Sequence, residues 1–165
     1  MRKKFVVGAL FATLVATLAG TCAARGLCSY TGTDQLGADP KFRPALKQLL
    51  RNKTFQSGAY TVNALDRVVL NMVGPPGKIE ALQDGMYLAT ACRYRDCGDK
   101  VALILACPNR VVAAAIVDYN ARPKLAVFSS NRSQSLKAAV AKWKTAIEQE
   151  TGMPLEVEWH RQQER

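Results

Sequence analysis

The chain has 165 residues, with 23 lysines and arginines against 13 aspartates and glutamates, and so a net charge of +10. Its one histidine, His160, lies in a charged terminal stretch; this excludes a multi-histidine metal site and argues against a hydrolytic triad. No catalytic residue, metal ligand or cofactor is expected, and the chain reads as a binding protein rather than an enzyme.

Arg2, Lys3 and Lys4 precede a continuous run of apolar and small residues from 5 to 19, and Cys22-Ala23-Ala24 supplies small residues for cleavage after Ala23 or Ala24. The run is too short, and too rich in alanine, threonine and glycine, for a stable transmembrane anchor. The expectation is a cleaved signal peptide over residues 1–24 and a single periplasmic domain over residues 25–165. A lipid anchor on Cys22 is the alternative, because Leu18-Ala19-Gly20 resembles a lipoprotein lead-in, with Thr21 placing the cysteine one position late. Cleavage removes three cations and no anion, which lowers the net charge from +10 to +7. It leaves Cys28, Cys92, Cys97 and Cys107, an even number suited to an oxidising compartment. Four cysteines allow three pairings; short spacing favours Cys92 with Cys97, which leaves Cys28 for Cys107.

After a polar lead over residues 27–38, Asp39 is placed to cap a helix, with Pro40 at its first position and Phe42, Ala45, Leu46, Leu49 and Leu50 at helical spacing. Pro44 fits less well and favours a later start. Strands are expected over residues 68–73, 86–92, 100–107, 111–118 and 125–129, separated by Gly74-Pro75-Pro76-Gly77, Gln83-Asp84-Gly85, Pro108-Asn109-Arg110 and Asn120-Ala121-Arg122-Pro123. Connections this short make antiparallel neighbours. Over residues 135–151, Leu136, Ala139, Val140, Trp143, Ala146 and Ile147 lie on one helical stripe, closed by Gly152 and Pro154, so Trp143 is expected in the core. Leu155, Val157 and Trp159 alternate with charged residues in an edge strand or ordered tail. The expected fold class is α+β: an antiparallel sheet of about five strands with helices packed on one face.

The segment between the second and third of these strands carries the chemistry. Cys92 and Cys97 bracket Arg93, Tyr94, Arg95 and Asp96, which cannot serve as core. A bridge closing so short a loop restrains little unfolded chain, so its use is to hold a loop shape. The pair has four intervening residues where thioredoxin-type redox pairs have two, and no helix follows to activate a thiolate. Gly74-Pro75-Pro76-Gly77-Lys78 lacks the spacing and the Ser or Thr of a phosphate loop, Ile79 standing in that place, and reads as a turn.

With Ala91, Cys92, Asp96, Cys97 and Gly98 forming A-C-x-x-x-D-C-G between two apolar strands, residues 87–105 resemble the inhibitor of vertebrate lysozyme (Ivy) family. The likeness extends in outline to the helix containing D-P-K-F-R-P-A-L-K-Q-L-L. Members are bacterial periplasmic inhibitors of C-type lysozymes, with a C-K-P-H-D-C loop in the same setting. The resemblance implies a target-binding loop of Arg93, Tyr94, Arg95 and Asp96 that enters a cleft holding two catalytic carboxyl groups. Where the family has Lys, Pro and His, this chain has Arg93, Tyr94 and Arg95. A guanidinium at 95 offers carboxylates a bidentate pair, while Tyr94 removes the stiffening of a proline.

C-type lysozymes are themselves basic, so a +7 inhibitor meets long-range repulsion and depends on local fit at the acidic cleft. Two other partners stay open. One is a lytic transglycosylase, with the chain acting as an immunity or regulatory protein; the other is an anionic envelope polymer, because Lys41, Arg43, Lys47, Arg51, Lys53, Lys137, Lys142 and Lys144 are spread over the helices. Export argues against nucleic acid. Association of two copies through a sheet edge also stays open.

Overall fold

The computed structural model describes residues 26–120 and 122–161. The expected signal peptide, its cleavage site and Cys22 lie outside the described residues. After a 3-10 turn (Leu27–Ser29) come α1 (Thr33–Ala38) and α2 (Phe42–Leu50), a hairpin of β1 (Thr54–Ser57) and β2 (Tyr60–Asn63), and α3 (Ala64–Met72). There follow β3 (Ile79–Ala81), β4 (Met86–Arg93), β5 (Asp96–Ala106), β6 (Arg110–Asp118), β7 (Lys124–Ser129), α4 (Gln134–Thr151) and β8 (Glu156–Arg161). The class is α+β. The main sheet has six strands in sequential order, and β1 and β2 form a separate two-stranded sheet.

Neighbours are antiparallel from β3 to β7, whereas β8 runs parallel to β7. The reason is α4, which carries the chain back along the sheet before β8 begins. Helices cover both faces of the sheet and not one. Leu36 of α1, Phe42, Leu46, Leu49 and Leu50 of α2, and Val68 of α3 share a core with Val101, Leu103 and Leu105. On the other face, Leu136, Val140, Trp143 and Ile147 of α4 share a core with Ala102, Ile104, Ala113 and Ala115. Successive residues of β5 therefore enter different cores, as a pleated strand requires when both its faces are buried.

Residues 68–73 form no strand. They lie in or next to α3, where Asn63 caps the helix by accepting the Asp66 amide at 3.2 Å. Ala64, Val68, Asn71 and Met72 fall on its buried stripe. The β-branched run at Val68-Val69 imitates a strand, but helical spacing and the cap decide. The expected polar lead is also ordered, with Leu27 and Leu36 wholly buried. The α2 helix starts at Phe42, later than the Asp39 cap implies; Asp39 instead accepts the Lys41 amide at 2.6 Å and the Tyr30 hydroxyl at 2.6 Å. These bonds, the Tyr30 bond foremost, hold its pKa below the usual aspartate value. Pro44 then falls in the first turn, where its missing N–H is no loss.

Both expected disulfides are present, Cys28–Cys107 across 79 positions and Cys92–Cys97 across 5. In the chain-entropy picture the long bridge contributes about 4.5 kcal/mol and the short one about 2 kcal/mol. The first therefore ties the amino-terminal segment to the end of β5, and the second contributes chiefly shape. Among the described residues, no helix is long and apolar enough to cross a membrane.

Trp143 is 6% exposed and fills the core under α4. Trp143→Ala should cost about 3–5 kcal/mol of stability, read from the urea midpoint of the oxidised protein. A loss below about 1 kcal/mol would mean that α4 packs on the sheet more loosely than this core requires.

Candidate functional site

The loop predicted from the cysteines is the tip of the β4–β5 hairpin. Pairing runs from Met86 with Ala106 to Cys92 with Lys100, and after a bulge it closes at Arg93 with Asp96. The bulge puts extra residues on the β5 side, and Cys92–Cys97 bridges across it with Cα atoms 4.8 Å apart. Tyr94 and Arg95 form the turn, with Arg95 in the left-handed region at φ 63°. Arg93, Tyr94, Arg95 and Asp96 all stand exposed at this end of the sheet, so the structure brings the four predicted residues together. The Arg95 guanidinium lies 5.2 Å from the centre of the Tyr94 ring. At an exposed site this cation–π contact is worth about 0.5–1 kcal/mol, enough to bias the tip but not to lock it.

Three features behind the tip fix its base. The first is the Gly74-Pro75-Pro76-Gly77 turn, which lies against the backbone of β4. A Cβ on Gly74 would sit 1.8 Å from the Cys92 carbonyl oxygen, and one on Gly77 would sit 1.6 Å from that of Thr90. Only glycine permits this approach at either place. The turn is held from behind by Thr33, whose hydroxyl accepts the Gly77 amide at 2.7 Å and whose amide donates to the Gly77 carbonyl at 3.0 Å.

The second is a polar cluster between α3 and β5. Asp99, two residues beyond Cys97, pairs with Arg67 at 3.1 Å and accepts from the Asn71 side chain at 3.3 Å. Asp99 is only 8% exposed. Burial raises its pKa above the usual aspartate value, outweighing the pull of Arg67, of the Asn71 hydrogen bond and of Arg93. The third is an ion pair on the other face, where Lys100 of β5 meets Glu150 of α4. It stands beside a cavity of about 370 Å³ between the Pro75-Pro76 turn, Cys92 and Trp143.

Gly74, Gly77, Arg67, Asn71 and Asp99 were not singled out from sequence as parts of this site. The two glycines carry a signal, since they flank a Pro-Pro pair that needs no glycine for its own turn. Arg67 and Asn71 carry none, because their partner is distant in sequence and α3 itself was read as a strand. Cations outside the loop do not gather here: α2 with Arg43 and Lys47 covers one face of the sheet, and α4 with Lys137, Lys142 and Lys144 covers the other. Lys144 is engaged with Glu148 at 2.6 Å. Among the described residues, no group of three or more His, Cys, Asp or Glu could hold a metal ion.

The Asp99 carboxylate predicts a pH dependence. Its folded pKa is raised, so the folded chain binds this proton more tightly than the unfolded chain does. The stabilisation is full below the ordinary value of 3.8 and is lost as pH rises through the raised one. Asp99→Asn removes the titration. Urea unfolding at pH 7 and pH 4 should therefore show wild type gaining on the variant at the lower pH; a constant difference would remove burial as the dominant influence on Asp99.

No family model, curated protein or solved structure matches this chain, and its function rests on the chemistry of its own residues.

Proposed function

We propose that the protein is an exported inhibitor of a C-type lysozyme or a related muramidase and works as a binding protein, without catalysis of its own. In this reading the β4–β5 tip enters the target's active-site cleft and offers Arg93 and Arg95 to the catalytic carboxyl groups. The observation that carries it is the tip itself: two guanidinium groups, a phenol and a carboxylate, exposed beyond the sheet and closed at the base by Cys92–Cys97. The resemblance of A-C-x-x-x-D-C-G to the lysozyme-inhibitor loop adds to this, as do two disulfides, which suit the periplasm expected from the signal peptide. A preorganised loop loses little freedom on binding, and its charge-assisted pairs are made in a site from which water is excluded.

The division of labour within the loop follows from its neighbours. Arg93 lies near Asp99, whose carboxyl it helps to stabilise against the effect of burial. Arg95 leans on Tyr94 instead and keeps its charge for the partner. A polyanion ligand is the weaker reading, because the helical cations face away from each other across the sheet and form no single stripe. A lytic transglycosylase, with its acidic cleft, would be met by the same loop.

Cell-wall hydrolysis by a panel of C-type, G-type and phage-type muramidases, with and without the oxidised protein, tests for a target. Inhibition of at least one is expected, and activity of all of them unchanged at micromolar protein would end the inhibitor reading. Arg95→Glu should weaken binding to the responding enzyme by about 2–5 kcal/mol, with Arg95→Ala costing less. Replacing Cys92 and Cys97 together with serine should weaken binding while leaving circular dichroism unchanged, because the sheet and helices do not depend on the short bridge.

A further inference from the structure

The main sheet ends in two edges, and the chain treats them differently. At the β3 edge the strand is three residues long and the amino-terminal segment covers it: Ile79 donates to the Thr31 carbonyl at 3.1 Å, and Lys78 bridges to Gly32. The β8 edge is six residues long and carries no further strand among the described residues. Glu156 donates to the Pro123 carbonyl at 3.1 Å, so its backbone groups turn inward to β7. By alternation those of Glu158 and His160 do the same, and those of Val157 and Trp159 turn outward. An unpaired row of this kind is a template for another strand. Among the described residues, one side chain bonds to it. Arg132 Nη2 donates to the Trp159 carbonyl at 3.1 Å, and the same guanidinium lies 5.3 Å from the centre of the Trp159 ring. The backbone that carries Arg132 is itself fixed. Ser130 donates to the Val112 carbonyl at 3.2 Å, Asn131 accepts the Ser133 amide at 3.3 Å, and Ser133 caps α4 by accepting the Leu136 amide at 3.2 Å.

We infer that Arg132 is an edge guard: it occupies the point at which β8 would otherwise pair with β8 of a second copy. Register shows why that point matters. In an antiparallel pair about a two-fold axis, residues with outward backbone groups stand opposite one another. Centring the pair on Val157 sets Glu156 against Glu158 of the other copy. Centring it on Glu158 sets that carboxylate, already engaged with Lys124 at 2.7 Å, against its own copy. Like charges directly opposite are destabilising. Centring on Trp159 avoids both clashes, places Glu158 opposite His160 and uses residues 157–161, whereas centring on His160 leaves only residues 159–161. The Trp159 register requires the Trp159 carbonyl to accept the Trp159 amide of the other copy. Arg132 holds that carbonyl, and its charge would meet the second Arg132 across the axis. The guard stands apart from the loop reading, because β6 and β7 separate β8 from the β4–β5 hairpin.

The test is sedimentation of the mature oxidised protein over a range of micromolar concentrations, wild type against Arg132→Ala. Wild type should run as a monomer, and the variant should self-associate at least about tenfold more tightly, the scale of one strand bond regained. Arg132 is exposed, so the variant should keep its circular dichroism; if it does not fold, Arg132→Gln, polar but uncharged, repeats the comparison. Adding Val157→Pro to Arg132→Ala should restore the monomer, because the Val157 amide faces outward and a proline there removes no bond to β7. Hydrogen exchange supplies a second readout: the Val157 and Trp159 amides should become protected in concentrated Arg132→Ala and stay unprotected in wild type. Equal self-association of wild type and Arg132→Ala, as monomers or as dimers, would overturn the guard. A dimer of Arg132→Ala that survives Val157→Pro, or that leaves these two amides unprotected, would place the contact elsewhere and overturn it as well.

Discussion

Burial of β5 and β6 on both faces is the constraint on which the other elements depend. Val101, Leu103 and Leu105 belong to the core under α1, α2 and α3, while Ala102 and Ile104 belong to the core under α4. A strand in that position has no side left for polar groups, so its own hydrogen bonds must be met by neighbouring strands. The six-stranded ladder is the consequence. Small residues at 102, 113 and 115 on one face share their core with Trp143, which keeps the volume of that layer balanced.

The tip inherits its rigidity from this frame. It is a direct extension of β4 and β5, not an insertion between them, so its base moves only if two buried strands move. The backbone contacts at Gly74 and Gly77 then couple α3 and the amino-terminal segment to the same hairpin. Cys28–Cys107 closes the arrangement from the far end of β5, where Leu27 also donates to the Pro108 carbonyl at 2.6 Å. Together these supports hold the base of an exposed, charged turn at the end of the sheet.

Electrostatics at the site is a balance between a cationic tip and an anion held behind it. Asp99 is taken out of water by burial, which raises its pKa, and is kept there by Arg67 and Asn71. Breaking that pair by removing one partner leaves the other buried and uncompensated, which costs more than the pair gains. Its value is geometric: it ties α3 to β5 beside the bulge that separates the Cys92–Lys100 and Arg93–Asp96 pairs. The exposed cations thus lie on the turn, while Arg67 and Asn71, which hold Asp99, lie on α3.

The sequence by itself determined the loop, both disulfide pairings, four strands of the main sheet, the α4 stripe and the burial of Trp143. Apart from Cys28–Cys107, which follows by elimination once Cys92 is given to Cys97, these are local properties, set by spacing, periodicity and turn chemistry over a few residues. Two-sided burial is also written in the unbroken apolar runs of β5 and β6, whereas the expectation from sequence is helices on one face only. Only the tertiary structure decided that residues 68–72 are helical, because Val68-Val69 suits either state and the choice falls to the Asn63 cap and to packing on the sheet. It alone decided the parallel placement of β8, which depends on where α4 delivers the chain. It alone paired Arg67 with Asp99 and set Gly74 against Cys92, since contacts across tens of residues leave no periodic trace in the chain that makes them.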